Sequence, residues 1–201
     1  MAQPPRPVQD RHDDLRTRLT DIAEATIRES GLAAVRARDL AGQAGCSVGA
    51  IYNVFTDLNG VVMAVNARTF LRLGAGVAES VAGQGGLTPT ERLIRMAHAY
   101  LHFAVANPRE WRTLFDLQMT TDTVPAWYLA ELQQLFSQIA APLTELFPDR
   151  DAGAIGLLTR TLFSAVHGIV LLGLERRISG LPPERIEDMI ALLLRNVASQ
   201  T

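Results

Sequence analysis

Apolar residues recur along this chain at the three- and four-residue spacing that places them on one face of an α-helix. The first such stripe contains Leu19, Ile22 and Ile27, and the last contains Ile190 and Leu194. Between the stripes, glycine, proline and asparagine interrupt the pattern, and no segment shows the regular alternation typical of a half-buried strand. The pattern therefore predicts an all-α protein of about nine helices.

Breaking and capping residues set the ends of the predicted helices. These helices span about residues 13–30, 37–44, 47–55, 59–81, 88–106, 108–120, 122–147, 151–178 and 183–198. Residues 1–12 hold three prolines and no apolar anchor, so we expect a disordered arm there. The remainder divides into a three-helix domain over 13–58, a linking helix over 59–82 and a helical domain over 83–201.

The segment 37–56, ARDLAGQAGCSVGAIYNVFT, has the pattern of a helix-turn-helix. Gly45 falls where the first helix must end, because glycine adopts a left-handed backbone without steric cost. Ser47 is a good N-cap for the second helix, and Ile51 packs back on the first. The start of the second helix then faces outward, where helix-turn-helix proteins contact the major groove of DNA.

Charge does not by itself indicate a nucleic-acid partner. All 19 basic residues among the 201 are arginine, and the formal net charge is −2. Residues 1–60 hold seven arginines against eight acidic residues. Binding to DNA would therefore depend on a few placed arginines, for which Arg16, Arg18, Arg36 and Arg38 are the candidates, and non-specific affinity would be weak.

The remaining composition favours a cytoplasmic protein without a membrane span. The single cysteine, Cys46, excludes an internal disulfide and provides no metal cluster. We expect no signal peptide, because the N-terminal residues are polar and proline-rich. The most apolar run, 161–174, contains His167 and is short for a transmembrane helix.

Residues 15–65 resemble the DNA-binding domain of TetR/AcrR-type transcriptional regulators. The matching elements are Leu19-Ile22-Ala23-Ile27, Gly31-Leu32, Arg38-Asp39-Leu40-Ala41, Ala44-Gly45, Ser47-Val48-Gly49, Ile51-Tyr52 and Phe55. The region beyond residue 90 resembles a TetR C-terminal domain of the subgroup with a His-Gly pair in a late helix, here His167-Gly168. The resemblance implies a ligand-responsive regulator, most often a repressor that a small effector releases from a near-palindromic operator.

Three positions depart from the family pattern. Arg36 stands where a serine or threonine usually caps the first helix of the motif. Val54 replaces a frequent histidine or tyrosine, and Leu58 replaces a lysine that usually contacts a phosphate. One customary phosphate contact is therefore missing.

The resemblance and the motif together predict the DNA-contacting residues. They are Arg36, Arg38, Ser47, Val48, Gly49, Ala50, Tyr52, Asn53 and Thr56. Asn53 is the best candidate for reading a base, because an amide pairs with N6 and N7 of adenine. Tyr52 suits a phosphate or sugar contact, and Arg36, Arg38 and Thr56 would hold the backbone.

The C-terminal domain is expected to bind the effector and to form a homodimer. The helix over 151–178 is apolar nearly all round, so a partner subunit is its natural cover; the resemblance implies a four-helix bundle from the last two helices of each subunit. Residues expected to line an apolar effector pocket, although each alone is more often a core residue, are Tyr100, His102, Phe103, Trp111, Phe115, Met119, Trp127, Phe136, Phe163 and His167.

Other functions are weaker interpretations of this sequence. His98 and His102 have the spacing of two metal ligands on one helix, but no cysteine or nearby carboxylate completes a site, so we predict no metal or cofactor. Ser164 lacks the glycines of a nucleophile elbow, which argues against an enzyme. The alternative is a helical protein-interaction module whose helix-turn-helix does not bind specific DNA.

Overall fold

The protein is all-helical, as predicted, in a computed structural model that describes residues 8–83, 85–117, 124–175 and 180–199. Nine α-helices and no strand occur in these residues. They are α1 (Val8–Ser30), α2 (Ala37–Ala44), α3 (Val48–Val54), α4 (Leu58–Glu79), α5 (Pro89–Ala106), α6 (Pro108–Asp116), α7 (Ala126–Leu146), α8 (Ala152–Leu174) and α9 (Pro183–Ala198). A short 3₁₀ turn, Leu32–Ala34, joins α1 to α2.

Several helix ends follow the predicted local chemistry. Thr88 Oγ1 accepts a hydrogen bond from the Glu91 N–H at 3.2 Å, and the Glu91 carboxylate accepts one from the Thr88 N–H at 2.8 Å. These reciprocal bonds form a capping box at the start of α5, and the bonds from Thr88 lower the pKa of Glu91. Asn107-Pro108 separates α5 from α6, because proline disfavours a helical conformation in the residue before it.

Other ends differ from the prediction. The helix α1 begins at Val8, so residues 8–12 are helical where we predicted a disordered arm; residues 1–7 lie outside the described part. No proline follows Pro7 until well past this helix, and Asp10 suits its positive end. The helix α7 begins at Ala126 rather than 122, since Pro125 has an extended backbone. The helix α8 ends at Leu174 rather than 178, where Glu175 turns to ψ 122°.

The chain forms two compact units whose boundary differs from the predicted one. The first contains α1–α3, the part of α4 up to Thr69, and α6; the second contains α4 from Phe70, with α5, α7, α8 and α9. The prediction placed α6 in the C-terminal domain. Buried Glu110 of α6 accepts a hydrogen bond from Arg28 of α1 at 3.0 Å, and Asn66 of α4 donates to the Thr113 carbonyl at 3.2 Å.

Each unit has its own apolar core. In the first, buried residues of α1 to α4 form one cluster that includes Leu19, Ile27, Leu40, Ile51 and Val61. In the second, α5 contacts α7, α8 and α9, α7 contacts α8, and α8 contacts α9. The helices of the second unit therefore pack around one another to form its core.

In the part of the chain that the structure describes, two helices are long and apolar enough to cross a membrane by length and composition alone, namely α4 and α8. Half of the most apolar window of α4 is buried inside the protein, but only 28% of that of α8. A helix with this much exposed apolar surface in water normally has a cover. The exposed side of α8 is therefore a candidate contact surface.

Candidate functional site

The turn between α2 and α3 has the predicted helix-turn-helix geometry. Gly45 ends α2 with φ 65° and ψ 37°, which is the left-handed region, and the Cys46 N–H donates to the Ala41 carbonyl at 3.0 Å. Ser47 caps α3, because its Oγ accepts a hydrogen bond from the Ala50 N–H at 3.2 Å. Local residues thus fix the direction in which α3 leaves the turn.

One side of α3 is buried and the other is open to solvent. Ile51 is completely buried, and Phe55 just after the helix is 3% exposed. Ser47, Gly49, Tyr52 and Asn53 are exposed and Val48 and Ala50 are half-buried; we call these six residues the α3 face. Thr56 is exposed as well. The predicted DNA-contacting residues therefore lie together along the open side of one short helix.

The four candidate arginines fall into two groups. Arg36 and Arg38 are exposed at the start of α2. Arg16 donates to the Val54 carbonyl at 2.7 Å and lies 4.3 Å from the centre of the Phe55 ring, while Arg18 donates to the Ala44 carbonyl at 3.0 Å. These two arginines bind carbonyls at the ends of α3 and α2, which helix ends leave without partners.

The three departures from the family pattern have structural counterparts. Arg36 occupies the N-cap position of α2 but makes no side-chain capping bond. Val54 and Leu58 are half-buried against the core of the first unit. Leu58 therefore contributes packing where a lysine would contribute a charge.

The second unit encloses a small apolar cavity of about 60 Å³. Side chains from five helices line it, among them Leu73, Leu93, Leu135, Leu162, Leu194, Tyr100 and Phe163. A drug-sized ligand usually needs a pocket of about 300–1,000 Å³. In this conformation the cavity holds at most a very small apolar molecule.

One polar pair stands beside the cavity wall. The Tyr100 hydroxyl lies 2.7 Å from His167 Nδ1, and the Phe163 ring stacks on the His167 ring with centroids 5.8 Å apart. Burial lowers the pKa of His167, because the apolar surroundings disfavour the charged imidazole. His167 is thus held neutral, with its ring oriented by the tyrosine hydroxyl.

The predicted pocket residues do not all meet at this cavity. Tyr100 and Phe163 line it, and Phe136 contacts Phe163 edge-on at 5.2 Å. Trp111 and Phe115 pack against each other on α6, which belongs to the first unit. The others stand elsewhere: Phe103 is half-buried and outside the cavity lining, Trp127 and His102 are exposed, and Met119 lies outside the described residues.

Sequence reasoning emphasised aromatic residues and missed the aliphatic lining of the cavity. Leu93, Met96 and Ala97 share one face of α5 with Tyr100, at spacings of three and four residues. That stripe was visible in the sequence. The sequence does not show which residues of the other helices face this stripe, because those contacts join distant parts of the chain.

The His98–His102 pair is engaged with α9. His102 Nε2 lies 2.6 Å from the Glu187 carboxylate, and His98 Nε2 lies 3.3 Å from the Glu187 carbonyl. Within the described ranges, no three side chains of the metal-binding types cluster together. The pair thus connects α5 to α9.

A second concavity lies between α8 and α9. It has a volume of about 450 Å³ and is lined by Ala165, Gly168, Ile169, Leu172, Gly173, Leu181 and Met189. Leu157 and Leu192 on the same two helices are 70% and 64% exposed. We call the surface formed by Leu157, Leu192 and the lining of this concavity the α8/α9 face; it is apolar and open to solvent.

Solved structures share this fold at low sequence identity. A protein of unknown function from Rhodococcus sp. RHA1 has a TM-score of 0.73 at 22% identity, covering 91% of this chain and 94% of that chain. RolR in complex with the ligand resorcinol has a TM-score of 0.68 at 16% identity, covering 96% and 97%. The TetR family regulator PfmR from Thermus thermophilus has a TM-score of 0.59 at 19% identity, covering 89% and 97%.

The sequence itself matches a family model. The tetracyclin repressor-like C-terminal domain matches residues 93–197, more than half of the chain. No curated protein sequence matches this chain. With its N-terminal helix-turn-helix and its all-helical second unit, the chain belongs to the TetR family of transcriptional regulators.

Proposed function

We propose that this TetR-family regulator is a homodimeric repressor that a small effector releases from a near-palindromic operator. The observation that carries the proposal is the α3 face, which exposes Tyr52 and Asn53 on a short helix anchored by buried Ile51. Exposure of an aromatic ring beside an amide on the second helix of the motif suits contact with DNA.

Each predicted DNA contact has a role that its position supports. Asn53 reads a base edge in the major groove, with Val48, Gly49 and Ala50 allowing close approach of the helix. Ser47, Tyr52 and Thr56 contact phosphate or sugar. Exposed Arg36 and Arg38 supply the positive charge.

Residues 1–60 hold seven arginines against eight acidic residues, and this balance limits the electrostatic part of binding to DNA phosphates. Arg16 and Arg18 are bonded to helix-end carbonyls, and Leu58 carries no charge. Affinity for DNA of random sequence is therefore weak, and the salt dependence of operator binding is modest. Recognition depends correspondingly more on the α3 face.

The cavity of the second unit is the proposed effector site. Its lining is almost entirely apolar, with the Tyr100–His167 pair as a polar handle. RolR, which shares the fold, was solved with resorcinol. A small, largely apolar effector fits these features, and α4, which contributes residues to both units, would carry its effect toward α3.

The α8/α9 face is the proposed dimer interface. It is apolar and includes the exposed side chains of Leu157, Leu172 and Leu192, and a second copy of the chain would cover it with a four-helix bundle. Two α3 helices would then read half-sites one turn of DNA apart, about 34–36 Å.

We further propose that the protein is cytoplasmic and is not an enzyme. The serine and histidines weighed as a catalytic group have other surroundings: Ser164 is exposed, His167 bonds Tyr100, and His98 and His102 bond Glu187. No nucleophile–base pair is formed by them.

Selection from random double-stranded DNA, followed by fluorescence anisotropy at two salt concentrations, tests the function. We expect a near-palindromic motif bound by two chains, with an excess of scrambled DNA unable to compete. If the selection yields no motif and binding is no better than to scrambled DNA, the repressor proposal fails and a protein-interaction role for the helix-turn-helix takes its place.

A further inference from the structure

The last turn of α3 is hydrogen-bonded to a side chain of α1. The Val54 carbonyl, at the final residue of α3, accepts a hydrogen bond from Arg16 Nη2 at 2.7 Å. Tyr52 and Asn53 come directly before Val54 in the same turn. A helix of seven residues has little stability by itself, so its contacts with the rest of the domain fix its direction. The bond from Arg16 therefore acts on the turn that carries the exposed ring and amide.

The Arg16 guanidinium makes a second contact just beyond the end of α3. Its central carbon lies 4.3 Å from the centre of the Phe55 ring, and Phe55 is only 3% exposed. The positive charge is attracted by the face of the ring and by the negative end of the helix. A planar guanidinium can lie on a ring and donate to a neighbouring carbonyl at once, which a lysine ammonium cannot reproduce. Arg16 thus contacts both sides of the point where α3 ends.

The three attachments of α3 differ in where their partners lie. Ser47 caps its start from within the turn, and buried Ile51 holds its middle against the core. Its end is bonded to Arg16, which belongs to a different helix. Arg18 makes a similar bond to the Ala44 carbonyl at the end of α2, at 3.0 Å. Two neighbouring arginines of α1 therefore bind the ends of both helices of the motif.

We infer that Arg16 is a positioning residue for DNA recognition. It acts through the Val54 carbonyl and the Phe55 ring, and it fixes the direction in which Tyr52 and Asn53 point. Its charge serves the end of α3 and does not neutralise a DNA phosphate. The inference rests on the proposed function in one respect, namely that the α3 face contacts DNA.

Amide hydrogen exchange of the full chain, without DNA, tests the attachment. Arg16→Met should raise the exchange rates of the amides of residues 52–55 about fivefold or more, because the last turn opens more often. The buried Val65 amide of α4 should keep its rate, which distinguishes local opening from a loss of global stability. Arg38→Met, the control at an exposed arginine of α2, should change neither. Unchanged rates over residues 52–55 in Arg16→Met would overturn the inference.

Fluorescence anisotropy on the selected operator, at several salt concentrations, separates positioning from phosphate contact. Arg38→Met should lower the slope of log affinity against log salt by about 1, as expected for one lost phosphate contact. Arg16→Met should weaken binding about tenfold at every salt concentration without changing the slope, since a charged hydrogen bond within the protein is lost. A slope lowered by about 1 in Arg16→Met would show that Arg16 contacts a phosphate and would contradict its positioning role.

Lysine variants keep the charge and so test the inference even if Arg16→Met does not fold. Arg16→Lys should weaken operator binding about fivefold, because the ammonium cannot make both contacts of the guanidinium. Arg38→Lys, the matched control, should bind within about twofold of the parent protein, since a phosphate accepts either cation. Parent-like affinity in Arg16→Lys would contradict the inference.

The exchange experiment contains no DNA, which separates this inference from the proposed function. A chain that finds no operator loses the repressor role, whatever the exchange rates of Arg16→Met. A chain that binds its operator but shows unchanged exchange over residues 52–55 in Arg16→Met keeps the repressor role and loses the positioning residue.

Discussion

Four arginines close to the helix-turn-helix show how neighbours decide what a residue does. Arg16 and Arg18 donate to backbone carbonyls at the ends of α3 and α2, although both remain exposed. Arg36 and Arg38 are exposed at the start of α2. From the sequence alone, all four were candidates for DNA binding. The sequence does not show that a side chain of α1 reaches a carbonyl 26 or 38 residues later in the chain.

Asn53 is expected to carry base specificity. Asn53→Ala should reduce discrimination at one position of each half-site by about 1–3 kcal/mol, because the amide's paired hydrogen bonds to a base are lost. The measurement is a binding selection with the variant beside the parent protein. The matched control is Gln133→Ala, an exposed amide on α7, and an unchanged preference in Asn53→Ala would contradict the assignment.

His167 is expected to make stability depend on pH. Its pKa is lowered in the folded protein, so below the ordinary value of 6.5 the unfolded chain takes up a proton that the folded chain resists. The free energy of unfolding should therefore fall as the pH decreases from 7.5 through 6.5, and be independent of this group above that range.

His167→Asn isolates this contribution, because asparagine retains a hydrogen-bonding group near the position of Nδ1 opposite Tyr100. Urea unfolding at pH 7.5 and 5.5 should show a shallower pH dependence in the variant than in the parent protein. Identical dependence in both would show that His167 does not titrate as its burial predicts.

Glu110 is expected to stabilise the first unit. It is 3% exposed and bonded to Arg28, which raises the pKa of that guanidinium. Glu110→Ala should lower the free energy of unfolding by about 1–3 kcal/mol, through loss of a charged hydrogen bond at a buried site. The control is Asp188→Ala, which breaks an exposed ion pair with Arg185 and should lower the free energy of unfolding by about 0–1 kcal/mol. Equal losses of stability for the two variants in urea titrations would mean that the burial of Glu110 adds nothing.

At the scale of helices, the approach of α8 to α9 depends on one glycine. A Cβ on Gly173 would lie 2.7 Å from Ile186 Cδ1, and Ile186 is completely buried. Gly173→Ala should therefore cost about 1–3 kcal/mol through overpacking. The control is Gly76→Ala on α4, where an added Cβ meets nothing within 4 Å; this variant should raise the free energy of unfolding by about 0.5–1 kcal/mol. Unfolding temperatures that shift in the same direction in both variants would contradict the close contact between Gly173 and Ile186.

The helix α6 shows what the element scale adds to the sequence. Its start was predictable from Pro108 and its apolar side from Trp111 and Leu114, whereas it ends at Asp116 rather than at about 120. The helix on which α6 packs, α1, could not be predicted, because the bond between Arg28 and Glu110 spans 82 residues. Trp111 is consequently buried in the first unit, and Phe115 packs against it but remains 43% exposed, although the aromatic composition suggested an effector pocket.

At the scale of the whole molecule, the α8/α9 face predicts a dimer. The residue to change is Leu192, because its side chain is 64% exposed, whereas its neighbour Leu193 is half-buried. Leu192→Glu should give a monomer with weakened operator affinity, because each subunit would have to bury a charge in an apolar interface. Leu129→Glu, a charge on an exposed leucine of α7, is the control for sedimentation.

An intact Leu192→Glu dimer at micromolar concentration would exclude this face as the interface. A Leu192→Glu monomer that still binds the operator as tightly as the parent protein would leave the interface in place and remove its role in DNA binding. Dissociation of Leu129→Glu as well would show that charge alone, rather than position, drives the loss.

The sequence by itself determined the helices, the turn and the family. Gly45, Ser47 and Pro108 act within a few residues of their own positions, so their effects on backbone and caps could be predicted. Only the tertiary structure decided which unit α6 joins, which arginines donate to helix-end carbonyls and which residues line the cavity. Those outcomes depend on contacts between residues far apart in the chain, and helical periodicity specifies that a face is buried but not what buries it.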